Sequence, residues 1–165
     1  MNNNRKRIKF VTHAAIIATL YVVLTYIANA AGLASRDIQC RLSEALLALP
    51  MFTPAAIPGL FAGCFLSNFL TGCMAADIVF GSIATLIGAV GAYFLRRHHP
   101  VVATSVNVIS NMIIVPLVLK YAYGLDGGLW YFFVTVGIGE IISCTVLGTL
   151  LYGSLKKHEK TLFGK

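Results

Sequence analysis

Asp37-Ile38-Gln39-Cys40-Arg41-Leu42-Ser43-Glu44-Ala45-Leu46-Leu47-Ala48-Leu49-Pro50 joins a polar head to an apolar run. Gln39, Arg41, Ser43 and Glu44 put four polar residues into six positions, and the sequence is then apolar until Pro50. Arg41 and Glu44 stand three apart and so share one face of a helix. At a membrane surface they would form a local ion pair of modest worth. Inside a membrane bundle they would face the interior or a cavity and mark a functional site. The surrounding chain decides which solvent this stretch meets.

That solvent is lipid. The 165 residues are 58% hydrophobic and 12% charged, against roughly 45–50% and ~25% in soluble domains. Mean hydropathy is +0.80. A chain of this size has too much surface to bury such a composition in a globule. The net charge of +7 does not point to nucleic acid, because the basic residues are not interleaved with aromatics. They sit at the ends of apolar runs, as membrane orientation requires.

Working outward, the segment from Phe10 to about Ala31 is a first helix. Its basic flank, Arg5 to Lys9, and its Ala28-Asn29-Ala30 triplet resemble a signal peptide. The apolar run of about 22 residues is instead long enough to span a bilayer and is expected to be retained. A second helix starts near Cys40 or Arg41 and ends near Phe52, where Pro50, Pro54 and Pro58 break the chain. A third runs from about Pro54 to Gly72 and a fourth from Asp77 to Leu95. The fifth covers Val101 to Tyr121, with a kink expected at Pro116. The sixth covers Leu129 to Leu155. The second helix is short, because about 13 residues rise only ~20 Å as an α-helix.

Charge parity favours six crossings with both termini cytoplasmic. Arg5, Lys6, Arg7, Lys9, Arg96, Arg97, Lys156, Lys157, Lys160 and Lys165 then share one side, ten of the thirteen basic residues, and Arg36, Arg41 and Lys120 lie on the other. The expected architecture is an all-α integral membrane bundle in one domain. Residues 1–9 form a basic N-terminus, 10–155 the six-helix bundle and 156–165 a basic tail.

The same topology collects polar residues towards the outer half. Glu140 lies inside the otherwise apolar Val136-Gly137-Ile138-Gly139-Glu140-Ile141-Ile142, where a carboxylate is costly unless paired or protonated. Asn107 and Asn111 are one turn apart on a single face, and Asn68 is in the outer half of the third helix. These amides are expected either to meet a ligand or to bond between helices. Glu140 could likewise pair with Arg41 or with the Asn107/Asn111 face. Asp77 opens the fourth helix and fits an N-cap as well as a pocket wall. Trp130 and Tyr131 fit an interfacial aromatic belt, and Trp130 also fits a platform for a flat ligand. Ala14-x-x-x-Ala18 is a small-residue pattern for close helix contact.

Cys40, Cys64, Cys73 and Cys144 form no CxxC pair, so neither a zinc site nor a redox motif is indicated; they fit small apolar packing residues. His13, His98 and His99 fit surface positions in basic segments. No HExxH, GxSxG or Walker A sequence is present. An ordinary ATP-driven pump in a single chain is therefore excluded, and no enzyme is indicated.

Four segments carry a family resemblance: Ile38-Gln39-Cys40-Arg41-Leu42-Ser43-Glu44-Ala45-Leu46, Pro58-Gly59-Leu60-Phe61-Ala62-Gly63-Cys64, Asp77-Ile78-Val79-Phe80-Gly81-Ser82-Ile83-Ala84-Thr85-Leu86 and Gly137-Ile138-Gly139-Glu140. From about Thr12 to Leu151 the chain resembles the QueT family, the substrate-binding S components of energy-coupling factor (ECF) transporters for queuosine precursors. The resemblance implies a multi-pass protein of the bacterial cell membrane that captures a deazaguanine base from outside. It implies a transmembrane coupling protein and two ATPase subunits as partners, which use the ATP, with no cofactor or metal on this chain. It also implies that Ala14 and Ala18 face the coupling protein. A deazaguanine offers a donor edge suited to Glu140 and acceptors suited to Asn107, Asn111 or Arg41, with Asn68 nearby. Its flat face suits Trp130. An aminomethyl group on the base would carry a positive charge suited to Glu44 or Asp77. The alternatives left open are an S component for another vitamin or small heterocycle, a membrane enzyme using Glu140 and Asp77, and a structural membrane subunit.

Overall fold

The computed structural model describes residues 3–32 and 41–163. Arg36, Asp37, Gln39, Cys40 and Lys165 lie outside the described residues. Among the described residues all regular structure is helical. α1 is Asn3–Ala30. A 3₁₀ helix covers Leu42–Met51. α2 is Ala56–Leu70, α3 Ala75–Phe94 and α4 Pro100–Tyr121. α5 is Leu129–Glu140, continued by a π-helical segment Ile141–Leu147 and by α6, Gly148–Lys156. A short α7, Glu159–Phe163, follows. Four helical runs are long and apolar enough to cross a membrane: α1, α3, α4 and the continuous Leu129–Lys156 run. The 3₁₀ helix and α2 are shorter apolar helices.

The expected second helix is present, but it is not an α-helix. Ten residues of 3₁₀ helix cover about 20 Å at ~2.0 Å per residue, where an α-helix of that length would cover about 15 Å. Overwinding thus gives a short segment more reach. Ser43, Glu44 and every residue from Leu46 to Met51 are buried, as befits a helix in the centre of a bundle. It touches α1, α2, α3, α4, the π segment and α6. Pro50 lies inside this helix rather than ending it. Pro58 lies in the first turn of α2, where an amide proton would have no helical acceptor. α4 runs through Pro116 without interruption.

Around this hub, α1 packs on α2, α2 on α3, α3 on α4 and α4 on α5. Large apolar side chains face outward, among them Ile16 and Leu20 on α1, Ile87 on α3 and Ile113 on α4. In lipid such residues gain nothing by turning inward, so close packing holds the helices together instead. The α1–α2 seam shows this directly. A Cβ added at Gly59 would lie 2.7 Å from the Ala14 carbonyl oxygen. One added at Gly63 would lie 2.6 Å from the Tyr21 Cβ and 3.0 Å from the Ala18 carbonyl oxygen. Ala14 and Ala18, expected to face a coupling partner, are half-buried against Gly59 and Gly63 of this same chain. Only glycine lets two backbones come this near.

The ends of the elements also group. Phe163 of α7 stacks on Phe52 at 5.3 Å between ring centroids, and His13 near the start of α1 meets Phe163 edge-on at 6.3 Å. Phe52 in turn packs with Met51, Ala92 and Ala103, on either side of the α3–α4 turn. The described basic clusters at the start of α1, at Arg96-Arg97 and after α6 therefore share one end of the bundle. His98 and His99 are exposed there, while His13 is half-buried.

Gly63→Leu should drive α1 off α2. Overpacking costs about 1–3 kcal/mol, and near ~2–4 °C per kcal/mol the melting temperature in detergent should fall by roughly 2–12 °C. Gly153→Leu, where an added Cβ meets nothing within 4 Å, should leave it unchanged in the same thermal-shift assay.

Candidate functional site

At the end opposite the basic clusters the bundle holds a cavity of about 380 Å³, within the usual size of a small-molecule site at roughly 300–1,000 Å³. Its wall includes Arg41, Asn68, Asp77 and Tyr123, and Tyr21 and Ser43 line it from α1 and the 3₁₀ helix. The Arg41 guanidinium lies 3.9 Å from Asp77 Oδ2. Of the two readings left open for Arg41, a local pair with Glu44 or a place facing the bundle interior, this contact between elements agrees with the second. Tyr123 donates to the same Asp77 oxygen at 3.4 Å and accepts from the Met74 amide at 3.1 Å. Burial is the main influence on the Tyr123 hydroxyl and raises its pKa, which keeps it a donor to Asp77. Asn68 Nδ2 donates to the Asp77 carbonyl at 3.4 Å. Asp77 is the third residue of α3 and Met74 precedes the helix without a side-chain cap, so Asp77 is a wall residue and not an N-cap. Its charge still suits the first turn of a helix.

Next to the cavity wall lies a second set of polar groups. Tyr21 donates its hydroxyl to Glu44 Oε1. Asn107 Nδ2 donates to Glu44 Oε2 at 3.0 Å and to Glu140 Oε2 at 3.1 Å. One amide from α4 thus joins two carboxylates from different elements. Glu44 and Asn107 are fully buried, and Glu140 is 5% exposed. Asn107 is seated by Gly88 of α3, where an added Cβ would lie 2.2 Å from Asn107 Oδ1. Asn107 Oδ1 and Asn111 Nδ2 are buried without a hydrogen-bond partner.

Local helix geometry explains how Glu140 reaches this set. It is the last residue of α5, and the chain unwinds into the π-helical segment immediately after it. Such segments widen the helix and recur at functional sites. The overwound 3₁₀ helix presents Glu44 against this underwound stretch, and the two segments pack together.

The sequence-predicted residues therefore divide. Arg41, Asn68 and Asp77 share the cavity wall, and Glu44, Asn107 and Glu140 share the adjoining network. Asn111 is buried beside the network. Trp130 is 79% exposed at the start of α5 and does not line the cavity. Among the cysteines, Cys64 and Cys144 are buried packing residues, and Cys73 is half-buried at the cavity. Sequence reasoning missed Tyr21, Thr25 and Tyr123. Thr25 donates to Ser43 Oγ at 3.0 Å and stands four residues after Tyr21, on the same face of α1. A tyrosine and a threonine one turn apart at mid-helix, away from the interfacial belts, were the available signal.

The family model for the QueT transporter matches residues 11–157 of this chain. The chain is 36% identical to the Queuosine precursor transporter QueT of Lactococcus lactis subsp. cremoris (strain MG1363) over 73 residues. That stretch is 44% of this chain and 43% of the relative, so the alignment spans less than half of either protein. No solved structure matches. With a family match over most of its length and a set of membrane-length apolar helices, the chain belongs to the QueT transporter family.

Proposed function

We propose that this chain is the substrate-binding S component of an ECF-type importer and that it captures a queuosine precursor, a deazaguanine base, from outside the cell. The observation that carries the reading is the polar cavity of about 380 Å³ among lipid-facing helices, with Arg41, Asn68 and Asp77 on its wall. Its position opposite the basic end favours an outward opening, since Lys and Arg collect on the cytoplasmic side. Both termini are then cytoplasmic, and the short apolar helices complete six crossings. A transmembrane coupling protein and two ATPase subunits supply the energy, and the S component reorients against them to release its ligand.

Within the cavity, Asp77 is the carboxylate nearest to a bound base and the partner for an aminomethyl ammonium group. Arg41 and Asn68 offer donors to ring acceptors. Glu140, expected to read the base edge directly, lies in the adjoining network. There it fixes Asn107, which in turn orients Glu44. The acid–base use of Glu140 with Asp77 finds less support, because the two carboxylates belong to different polar clusters.

Titration calorimetry in detergent tests these roles. Asp77→Asn should weaken binding of an aminomethyl-deazaguanine about tenfold, which is ~1.4 kcal/mol, and that of uncharged deazaguanine less than about threefold. An equal loss for both ligands would remove Asp77 as the ammonium partner. Glu140→Gln should weaken both ligands by about tenfold or more, because hydrogen bonds to charged groups are worth roughly 1.5–3 kcal/mol. Unchanged affinity would remove the network from binding. Uptake into vesicles should require the coupling protein, both ATPases and ATP. Uptake by the chain alone would overturn the S-component role.

A further inference from the structure

Tyr21 joins the cavity to the network, and its hydroxyl is committed in one direction. It lines the cavity, is 1% exposed, and donates its one hydroxyl proton to Glu44. A phenol has one donor, and its remaining capacity is as an acceptor. The second Glu44 oxygen already accepts from Asn107. The Cys64 thiol beside Tyr21 is only a weak donor and leaves the phenolic oxygen's acceptor strength for a better one.

We infer that Tyr21 is a specificity-determining residue of the ligand cavity, its hydroxyl oxygen accepting an N–H from a planar heterocycle while Glu44 positions it by holding its proton. The class of ligand selected is a flat nitrogen heterocycle with an exocyclic amine, and a ligand with a carbonyl or lone pair at that place meets two acceptors face to face. An acceptor left buried without its donor costs about 1–3 kcal/mol, and sites that bond a substrate N–H reject analogues lacking it strongly. Glu44 acts through Tyr21 and does not touch the ligand. This inference rests on the deazaguanine reading of the cavity.

The geometry also explains why a carboxylate is needed at position 44. A carboxylate offers one oxygen to Tyr21 and the other to Asn107. Glutamine would offer a single carbonyl oxygen to the same two donors. The tyrosyl proton would then lose its fixed acceptor and turn towards the cavity part of the time.

The test is ligand discrimination, a readout that a merely structural role would not move. Affinities of 7-deazaguanine and of 7-deazahypoxanthine, which lacks the exocyclic amine, are measured on the wild-type chain, Tyr21→Phe and Glu44→Gln. Each sample is checked for monodispersity. The wild type should prefer 7-deazaguanine by about tenfold or more. Tyr21→Phe should reduce that ratio to within about threefold, and Glu44→Gln should reduce it by at least about threefold. Should one variant fail to fold, the other carries the test. Wild-type discrimination that survives unchanged in a folded variant overturns the role of Tyr21 and leaves the transporter reading standing. A wild type that binds neither compound overturns the deazaguanine reading itself.

Discussion

A carboxylate at the centre of a lipid-embedded bundle must be satisfied from every side, and the placement of Glu44 follows from that demand. Tyr21 from α1 and Asn107 from α4 supply its hydrogen bonds, and Asn107 also reaches Glu140 at the end of α5. Leaving such a buried group without one of its hydrogen-bond partners costs about 1–3 kcal/mol, because no water takes the partner's place. The network is therefore a positional constraint as well as a polar feature. It fixes the register of four elements around one carboxylate, in a medium where apolar side chains give no preference for inside over outside.

Two departures from regular α geometry meet that constraint. The 3₁₀ helix gains length per residue and carries Glu44 into the centre of the bundle, and the π segment begins where Glu140 is presented. Overwinding and underwinding face one another across a packed contact. Both occur next to the buried acids.

Helix positions were legible in the sequence because apolar runs and their basic or proline-rich ends are strong signals. Asn107 and Asn111 could be placed on one face from their spacing, and the cost of an isolated Glu140 made it conspicuous. What could not be read was partner choice. Arg41 pairs with Asp77 across the fold rather than with Glu44 three residues away, since a hub helix offers its polar side chains to neighbours that local spacing does not reveal. Proline marked the break between the 3₁₀ helix and α2, where Pro54 lies, but not its exact limits, since Pro50 sits inside the 3₁₀ helix and Pro58 in the first turn of α2. Tyr21 escaped notice because α1 carries no intramembrane charge, although Tyr21, with Thr25, Ala28 and Asn29, is where that helix meets the cavity. The small-residue pattern of α1 fits close helix contact, and Gly59 and Gly63 of the same chain supply one such contact.

That seam between α1 and α2 has an implication for sequence drift. Positions 14, 18, 59 and 63 meet mostly through backbone atoms, so each is bounded from above in volume and has nothing to gain from chemical variety. The outward residues of α1, such as Ile16, Leu20 and Val23, are exposed on the bundle, and where they meet lipid any comparable hydrocarbon serves. Substitutions along this helix should therefore accumulate as a striped pattern, fixed in size along one edge and freely exchanged along the other. A comparison by overall identity would underrate how tightly one edge of the helix is held.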